Sequence, residues 1–272
     1  CDNDQLIIVP RSLAIERESE YNLELRYRPL IAGEKKAKLT VKSLDLGDSV
    51  YELLLIGHPS TNQRTMVFQP TPLGTDKTQA FKFIHYFRKP TSYQCKIERV
   101  DKKIPIETKD PKKDAKGAGQ MTDFSVIQNP FPALPADSSE GIEQSLNILF
   151  EPSTLGESKA LLTITSPDAG EYQCLLVGQS TSPIPKGPFI IGGKAENIPF
   201  KNPFLEAAEF NIKIDNPNFT CGAKSPMKID ARKAIALTVS YKANPAVPSN
   251  TGRIIISTGD LPPWIFYLQG QQ

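Results

Sequence analysis

The fold of this chain is decided by the stretch Tyr172-Gln-Cys-Leu-Leu-Val-Gly178, which opens on an aromatic residue and closes on a glycine. Two other stretches repeat it, namely Tyr51-Glu-Leu-Leu-Leu-Ile-Gly57 and Trp264-Ile-Phe-Tyr-Leu-Gln-Gly270. Each is apolar at nearly every position, as expected for a strand that is buried or central in a sheet. Repetition of this kind predicts that the chain is built from copies of one structural unit.

A second pattern recurs upstream of these stretches. Leu146-Asn-Ile-Leu-Phe-Glu-Pro152 is followed by Gly156, and Leu23-Glu-Leu-Arg-Tyr-Arg-Pro29 is followed by Gly33. A third copy, Leu237-Thr-Val-Ser-Tyr241, keeps the strand and lacks the Pro-x-x-x-Gly turn. Period-two alternation predicts strands with one buried face, and the proline and glycine predict a chain reversal. We therefore predict an all-β fold of tandem immunoglobulin-like β-sandwich modules.

The repeats predict three modules along the chain. They are expected at residues 1–60, 61–183 and 184–272. The first holds only the C-terminal part of a module, because its front strands are missing, and the chain is expected to be a fragment of a longer protein. A half-sandwich exposes unpaired strand edges, so we expect strands from elsewhere to complete it. The second is expected to carry a long insertion at 101–141.

Composition argues against several classes of function. The 272 residues include 32 basic and 30 acidic side chains, so the net charge of +2 gives no field that would recruit nucleic acid or an anionic membrane. The two histidines, His58 and His85, are expected to be structural. No cysteine pair has the spacing of a zinc finger, and no glycine-rich phosphate loop opens a helix. We therefore predict no cofactor, no metal, no small-molecule substrate and no enzymatic activity.

The repeats resemble a known family of proteins. Modules of about 100 residues, the Pro-x-x-x-Gly turn, the aromatic-to-glycine strand and Asn216-Pro217 before Phe219 are together similar to the ASH/major-sperm-protein-like repeats of hydin-like cilia- and flagella-associated proteins. The resemblance implies a structural component of the ciliary axoneme, of the central apparatus, that is needed for motility. It also implies a cytoplasmic, cytoskeletal location in cilia or flagella, with other axonemal proteins as partners.

The insertion has a composition of its own. Few of its first twenty residues are large and apolar, so this part cannot bury enough surface to offset the entropy of ordering. It is either a floppy surface loop or an arm that contacts acidic tubulin tails or a neighbouring subunit. Its stretch 124–134 would be the apolar anchor. The candidate partner-contact residues are the lysines Lys102, Lys103, Lys109, Lys112, Lys113 and Lys116.

One pattern favours an alternative function. Asp168-Ala-Gly-Glu-Tyr-Gln-Cys174 has the D-x-G-x-Y-x-C form of antibody-type domains, which would pair Cys174 with Cys95 in an extracellular adhesion or receptor fragment. The counterparts of Cys174 in the other copies are Leu53 and Phe266, so the position requires only an apolar side chain. We therefore expect free thiols. Two aromatic-x-Cys stretches, at 93–95 and 219–221, are interpreted as the same strand in two modules.

Overall fold

The computed structural model describes residues 5–58, 64–100 and 122–271. Every regular element in these ranges is a β-strand, which confirms the predicted all-β class. The strands fall into three groups, and within the described residues no strand pairs with a strand of another group. The module boundaries predicted at 60/61 and 183/184 fall between these groups of strands, and their exact positions remain predictions.

The first group, which we call the N-terminal half-sandwich, contains four strands in two separate two-stranded sheets, β1-β2 and β3-β4. The strands are β1 (Leu6–Val9), β2 (Glu24–Tyr27), β3 (Gly33–Ser43) and β4 (Gly47–Gly57).

The second group, the middle sandwich, packs the sheet β10-β8-β12-β13-β5 against the sheet β7-β11-β9, and a short strand, β6, also pairs with β13. Strands β5 and β6 run parallel to β13, whereas the other pairs are antiparallel. The strands are β5 (Arg64–Val67), β6 (Thr71–Pro72), β7 (Lys77–His85), β8 (Thr91–Arg99), β9 (Phe124–Val126), β10 (Phe131–Ala133), β11 (Ile142–Phe150), β12 (Gly156–Ser166) and β13 (Gly170–Thr181).

The third group, the C-terminal sandwich, repeats this topology with the sheets β14-β21-β20-β16-β18 and β15-β19-β17. Strand β14 is parallel to β21, as β5 is to β13. The strands are β14 (Lys186–Ile191), β15 (Glu196–Lys201), β16 (Ala208–Ile214), β17 (Phe219–Cys221), β18 (Met227–Ile229), β19 (Ala234–Tyr241), β20 (Thr251–Ser257) and β21 (Trp264–Gly270).

Strand register shows how far the repeat extends. Tyr172 pairs with Ile164 in the middle sandwich, and Trp264 pairs with Ile256 in the C-terminal sandwich, so the two aromatic residues occupy equivalent positions. Tyr51 lies on the corresponding strand but pairs with Leu39, two positions out of step. The reason is local: Tyr51 comes four positions after Gly47, whereas Tyr172 comes two positions after Gly170. The predicted equivalence therefore holds for the strand in all three copies and for the register in two.

The predicted insertion at 101–141 is wrong for its described part. Residues 124–126 and 131–133 form β9 and β10, which pair with β11 and β8. These strands correspond to β17 and β18 of the C-terminal sandwich, so they belong to the shared fold. The expected apolar anchor does pack on the middle sandwich, since Phe124 and Phe131 are buried.

The interpretation of the two aromatic-x-Cys stretches as one strand is also wrong. Cys95 lies on β8, which pairs with β12, whereas Cys221 lies on β17, which pairs with β19. Strand β17 corresponds to β9. The resemblance between the two stretches is therefore a coincidence of short patterns, and the pairing of each strand decides its identity.

Each complete sandwich has an aromatic core. Alternate residues of β11, Leu146, Ile148 and Phe150, are buried, as the period-two pattern predicts. In the middle sandwich, Phe83 lies 5.5 Å from Tyr93, ring centroid to centroid. Rings at such distances stabilise a core by about 0.5–1.5 kcal/mol per pair beyond their buried area. In the part of the N-terminal half-sandwich that the structure describes, the core is much smaller and contains Leu6, Ala37 and Leu55, with Tyr27 and Leu53 at its margin.

Candidate interaction surfaces

The first candidate surface joins the N-terminal half-sandwich to the middle sandwich. The guanidinium carbon of Arg28 lies 4.3 Å from the ring centroid of Tyr86, and its Nη1 donates to the backbone carbonyl of Ser139. The carbonyl oxygen of Leu30 lies so close to Gly170 that a Cβ there would overlap it. Gly170 also has a φ of +91°, a conformation that glycine adopts without strain. The contact thus depends on a residue without a side chain.

A second surface joins the middle and C-terminal sandwiches. Leu73 follows β6 of the middle sandwich, yet it is buried in the core of the C-terminal sandwich. The indole Nε1 of Trp264 donates to the carbonyl of Leu73 over 3.0 Å. Gly74, with a φ of +87°, leaves room for the indole, because a Cβ there would lie 2.6 Å from Nε1. One hydrophobic side chain and one buried hydrogen bond therefore connect the two sandwiches.

The same junction contains a group of charges. Arg232 places Nη2 2.6 Å from the backbone carbonyl of Glu151 and Nη1 3.2 Å from its carboxylate, which also receives Lys201 at 2.7 Å. Asp123, almost fully buried, lies 3.7 Å from Arg232. Arg232 has a φ of +58°, which costs a residue with a side chain about 1–2 kcal/mol. Because Arg232, Glu151 and Asp123 are largely shielded from water, loss of one of them would leave the other charges poorly compensated.

Buried polar side chains fix the loop after β11 in the middle sandwich and the loop after β19 in the C-terminal sandwich. Asp123 accepts hydrogen bonds from the backbone and hydroxyl of Ser153 and from the hydroxyl of Ser158. Asn218, at the corresponding position, donates to the carbonyls of Val247 and Ser249 at 2.9 and 3.0 Å. These bonds hold the loops that follow β11 and β19 in one conformation.

A groove lies at the far end of the C-terminal sandwich. It has a volume of about 890 Å³ and is open to solvent. Its apolar lining includes Ile190, Tyr241, Pro245, Val247 and Pro248. Its polar lining consists of neutral amides and backbone, and no ionisable group other than the Tyr241 hydroxyl lines it. The groove is therefore suited to an apolar side chain of a protein more than to a charged metabolite.

The hairpin β3-β4 of the N-terminal half-sandwich presents an open apolar surface. Tyr51 is 55% exposed, although Trp264 is 4% exposed. Because each aromatic residue opens an apolar strand, the sequence predicts that all three are largely buried. This is wrong for Tyr51, and Tyr172 is only partly buried. The equivalent hairpins of the other modules, β12-β13 and β20-β21, have a partner strand on each side. Strands β8 and β16 pair with their first strands, and β5 and β14 pair with their second strands. The described part of the N-terminal half-sandwich contains neither partner.

The cysteines do not support the extracellular alternative. Cys95, Cys174 and Cys221 are free thiols, and Cys1 lies outside the described residues. Cys95 and Cys174 lie on β8 and β13, which flank β12, so a whole strand separates them. Two strand spacings, about 9–10 Å, exceed the span of a disulfide. Burial raises the pKa of the Cys95 thiol to about 11 and also raises that of Cys174.

The described side chains form no cluster of potential metal ligands. In the ranges that the structure covers, no group of three or more His, Cys, Asp or Glu could hold a metal ion. His85 is fully buried and shares a 2.7 Å hydrogen bond through Nδ1 with the hydroxyl of Tyr93, and burial lowers its pKa. Over the same ranges, no helix is long and apolar enough to cross a membrane. The six candidate lysines, Lys102 to Lys116, all lie outside the described residues.

Sequence reasoning missed the residues that join the sandwiches. Leu73 was visible only as an apolar residue inside a Pro- and Gly-rich turn, which is an unusual place for a leucine. Arg232 gives no signal, because an Arg-Lys pair close to Asp230 is typical of any solvated loop. Arg28 gives no signal either, because period-two alternation places the charged residues of its strand on the solvent face.

The chain is similar in sequence to two very long proteins. It is 34% identical over 274 residues to the human hydrocephalus-inducing protein homolog and 32% identical over 273 residues to the mouse hydrocephalus-inducing protein. Each alignment covers 97% of this chain and 5% of the relative, so the chain spans about one twentieth of these curated relatives. The match confirms the resemblance to hydin-type repeats. No protein-family model matches the chain.

Solved structures show weaker likenesses. The ASH/PapD-like domain 7 of human CEP192 is 10% identical, with 64% of this chain and 99% of that chain covered and a TM-score of 0.31. The CupB2 chaperone of Pseudomonas aeruginosa is 11% identical, with 77% and 97% covered and a TM-score of 0.28. Likenesses at these TM-scores do not bear on what the chain does.

Proposed function

From the similarity of these repeats to a segment of the hydrocephalus-inducing proteins, we propose that the chain is a structural, protein-binding segment of a large protein of the ciliary axoneme. We place it in the central apparatus, where it supports the motility of cilia or flagella. Similarity along 97% of the chain carries the proposal. The chain acts through contacts spread along a row of sandwiches and performs no catalysis. Its partners are other axonemal proteins.

The junctions support this mode of action. A spacer must resist bending, and the middle and C-terminal sandwiches are joined by the buried Leu73 and by the ion pairs of Arg232 in addition to the connecting chain. Contacts of this kind limit the motion of one domain relative to the next. The short connection 182–185 between β13 and β14 contains Pro183 and Pro185, which stiffen it further.

Localisation tests the proposal directly. The parent gene is tagged at its own locus in cells with motile cilia, and the tag is located by immunogold electron microscopy. We expect label along the axoneme at the central apparatus, and deletion of the segment should reduce beat frequency or distort the waveform. Label at the cell surface or in the secreted fraction would contradict the proposal.

We also propose that the six lysines, Lys102 to Lys116, contact acidic tubulin tails. Replacing all six with glutamine removes their charge and should weaken co-sedimentation with microtubules, most clearly at low salt. A matched control replaces six exposed lysines of the described strands, Lys36, Lys38, Lys42, Lys82, Lys96 and Lys213. Microtubules whose acidic tails have been removed by subtilisin should lose binding of the unaltered chain. Equal co-sedimentation of all variants would contradict a tubulin contact.

A further inference from the structure

The two junctions between modules share one layout. Arg28 and Glu151 are equivalent, since each follows the last residue of its strand, β2 or β11. Each also donates its backbone N–H to the carbonyl of the residue just before the neighbouring strand, β1 or β9. These acceptors are Gln5, at 3.0 Å, and Asp123, at 2.8 Å. Lys242 is the third member of this series, because its backbone N–H donates to the carbonyl of Asn218 at 2.9 Å.

Arg28 and Glu151 contact the same part of the module that follows. Arg28 reaches the carbonyl of Ser139, and Glu151 binds Arg232. Both partners lie in the loop before the middle strand of the smaller sheet, β11 or β19. Gly141 and Arg232 are equivalent in these loops, and both are left-handed, with φ of +78° and +58°. The two loops thus share a left-handed residue at one equivalent position.

A second contact accompanies the first at each junction. The carbonyl of Leu30 lies against Gly170, where the last strand of the middle sandwich begins. Leu73 packs in the same core as Trp264 and accepts its indole hydrogen bond, where the last strand of the C-terminal sandwich begins. One end of each module therefore presents a residue that follows the middle strand, Arg28 or Glu151, together with a leucine, Leu30 or Leu73. The next module receives the first with a loop and the second with the start of its last strand. We call these the distal end and the proximal end of a module.

Among the described residues, the distal end of the C-terminal sandwich is exposed. Lys242 is exposed, and the groove described above opens beside it. Tyr241 in this groove is only partly buried, whereas its counterpart Phe150 in the middle sandwich is fully buried. In the middle sandwich, the segment that connects β5 to β7 contains Phe68, β6 and Leu73, and the ring of Phe68 lies 5.5 Å from that of Phe150. In the C-terminal sandwich the corresponding connection is the four residues 192–195 between β14 and β15.

We propose that this distal end, Lys242 with the groove of Tyr241, Pro245 and Val247, is the docking surface for the proximal end of a further sandwich of the same type. That sandwich presents a carboxylate or carbonyl oxygen to Lys242, because the two previous members of the series each bind a group of complementary charge or polarity. It places an apolar side chain in the groove. The inference rests on the proposed function, since a long row of repeats supplies the next sandwich from the same parent polypeptide.

Lysine footprinting tests the docking surface. The chain is compared with a version lengthened at its C-terminus by about 100 residues of its parent polypeptide, the size of one immunoglobulin-like domain. Both are acetylated briefly and analysed by mass spectrometry. We expect the reactivity of Lys242 to fall at least fivefold in the lengthened chain. Lys228, which is exposed on β18, is the control and should not change.

A charge reversal separates docking from simple crowding. In the lengthened chain, Lys242→Glu should restore labelling of the groove tyrosine, Tyr241, by an iodination reagent, and Lys228→Glu should not. The proposal is overturned if Lys242 reacts equally in both chains, or if Lys242→Glu leaves Tyr241 protected. It is also overturned if Lys242 is protected in the unlengthened chain only at high concentration, since the occupant would then be a second copy. Absence from the axoneme with Lys242 protected would refute the function alone.

Discussion

The hairpins β3-β4 and β12-β13 have the same backbone and different surroundings. Both turn between a serine and a glycine, Ser43 to Gly47 and Ser166 to Gly170, and both keep an unbroken antiparallel register. In the middle sandwich, β8 pairs with one side of the hairpin and β5 with the other. In the N-terminal half-sandwich both edges are unpaired within the described residues, and Tyr51, Leu54 and Val50 are exposed. A strand sequence thus determines pairing within its hairpin, whereas burial depends on neighbouring strands.

The largest effect is expected at the aromatic residue that opens each last strand. Trp264→Ala removes a buried ring and the hydrogen bond to Leu73, which should cost the C-terminal sandwich about 3–5 kcal/mol. Its thermal transition should fall by more than about 10 °C. Tyr51→Ala should change stability by no more than about 0.5 kcal/mol, because the side chain is already exposed. Differential scanning calorimetry of the whole chain resolves these changes, and Tyr172→Ala should lie between them.

The comparison would break if Tyr51→Ala destabilised its module as much as Trp264→Ala destabilises the C-terminal sandwich. Trp264→Phe is the milder variant, since it keeps most of the apolar contact and loses the hydrogen bond. It should retain the fold while weakening the junction with the middle sandwich.

The glycines at the two hairpin turns provide a smaller, matched test. Gly47 and Gly170 have φ of +79° and +91°, so alanine is strained at both positions by about 1–2 kcal/mol. A Cβ at Gly47 has nothing within 4 Å, whereas one at Gly170 would overlap the carbonyl of Leu30. Gly170→Ala should therefore cost about 1–3 kcal/mol more than Gly47→Ala, because the module junction must shift. Urea denaturation measures both, and equal losses would show that Leu30 does not press on this turn.

The smallest effect concerns the thiols. Burial holds the folded-state pKa of Cys95 at about 11, above its unfolded value, so the protonated thiol is favoured in the folded protein. Its contribution to stability is complete below the unfolded pKa of about 8.5 and is lost as the pH rises through 11. At pH 8, iodoacetamide should modify Cys95 and Cys174 far more slowly than a free peptide thiol. The Cys95→Ser variant is the control for the alkaline loss of stability.

Much of the fold could be predicted from local patterns. Alternation in 146–150 and the apolar stretch 172–178 indicated strands, and both are strands. Register in β4 could not be predicted, because the two extra residues after Gly47 are compatible with either a bulge or a slip. The strands β9 and β10 were hidden, since three residues each are too few for period-two alternation to show.

The candidate surfaces were less predictable than the fold. Arg232 and Glu151 are 81 residues apart in sequence, and only the docking of two modules brings them together. The same holds for Leu73 and Trp264, 191 residues apart. The pattern of a single sequence predicts where strands form and which face of each is apolar. It does not predict which loops of successive modules come into contact. Contacts between modules depend on the sum of all linker and turn conformations.

Hydrogen exchange tests most directly the claim that neighbours, and not the hairpin sequence, confer burial. The amides of 33–57 and 156–180 are followed by mass spectrometry in the chain and in a version lengthened at its N-terminus through one further half-sandwich. In the chain, we predict that 33–57 exchanges at least about 100-fold faster than 156–180, and that lengthening brings the two to similar rates. Equal protection of the two hairpins in the unlengthened chain, or no slowing of 33–57 on lengthening, would contradict the claim.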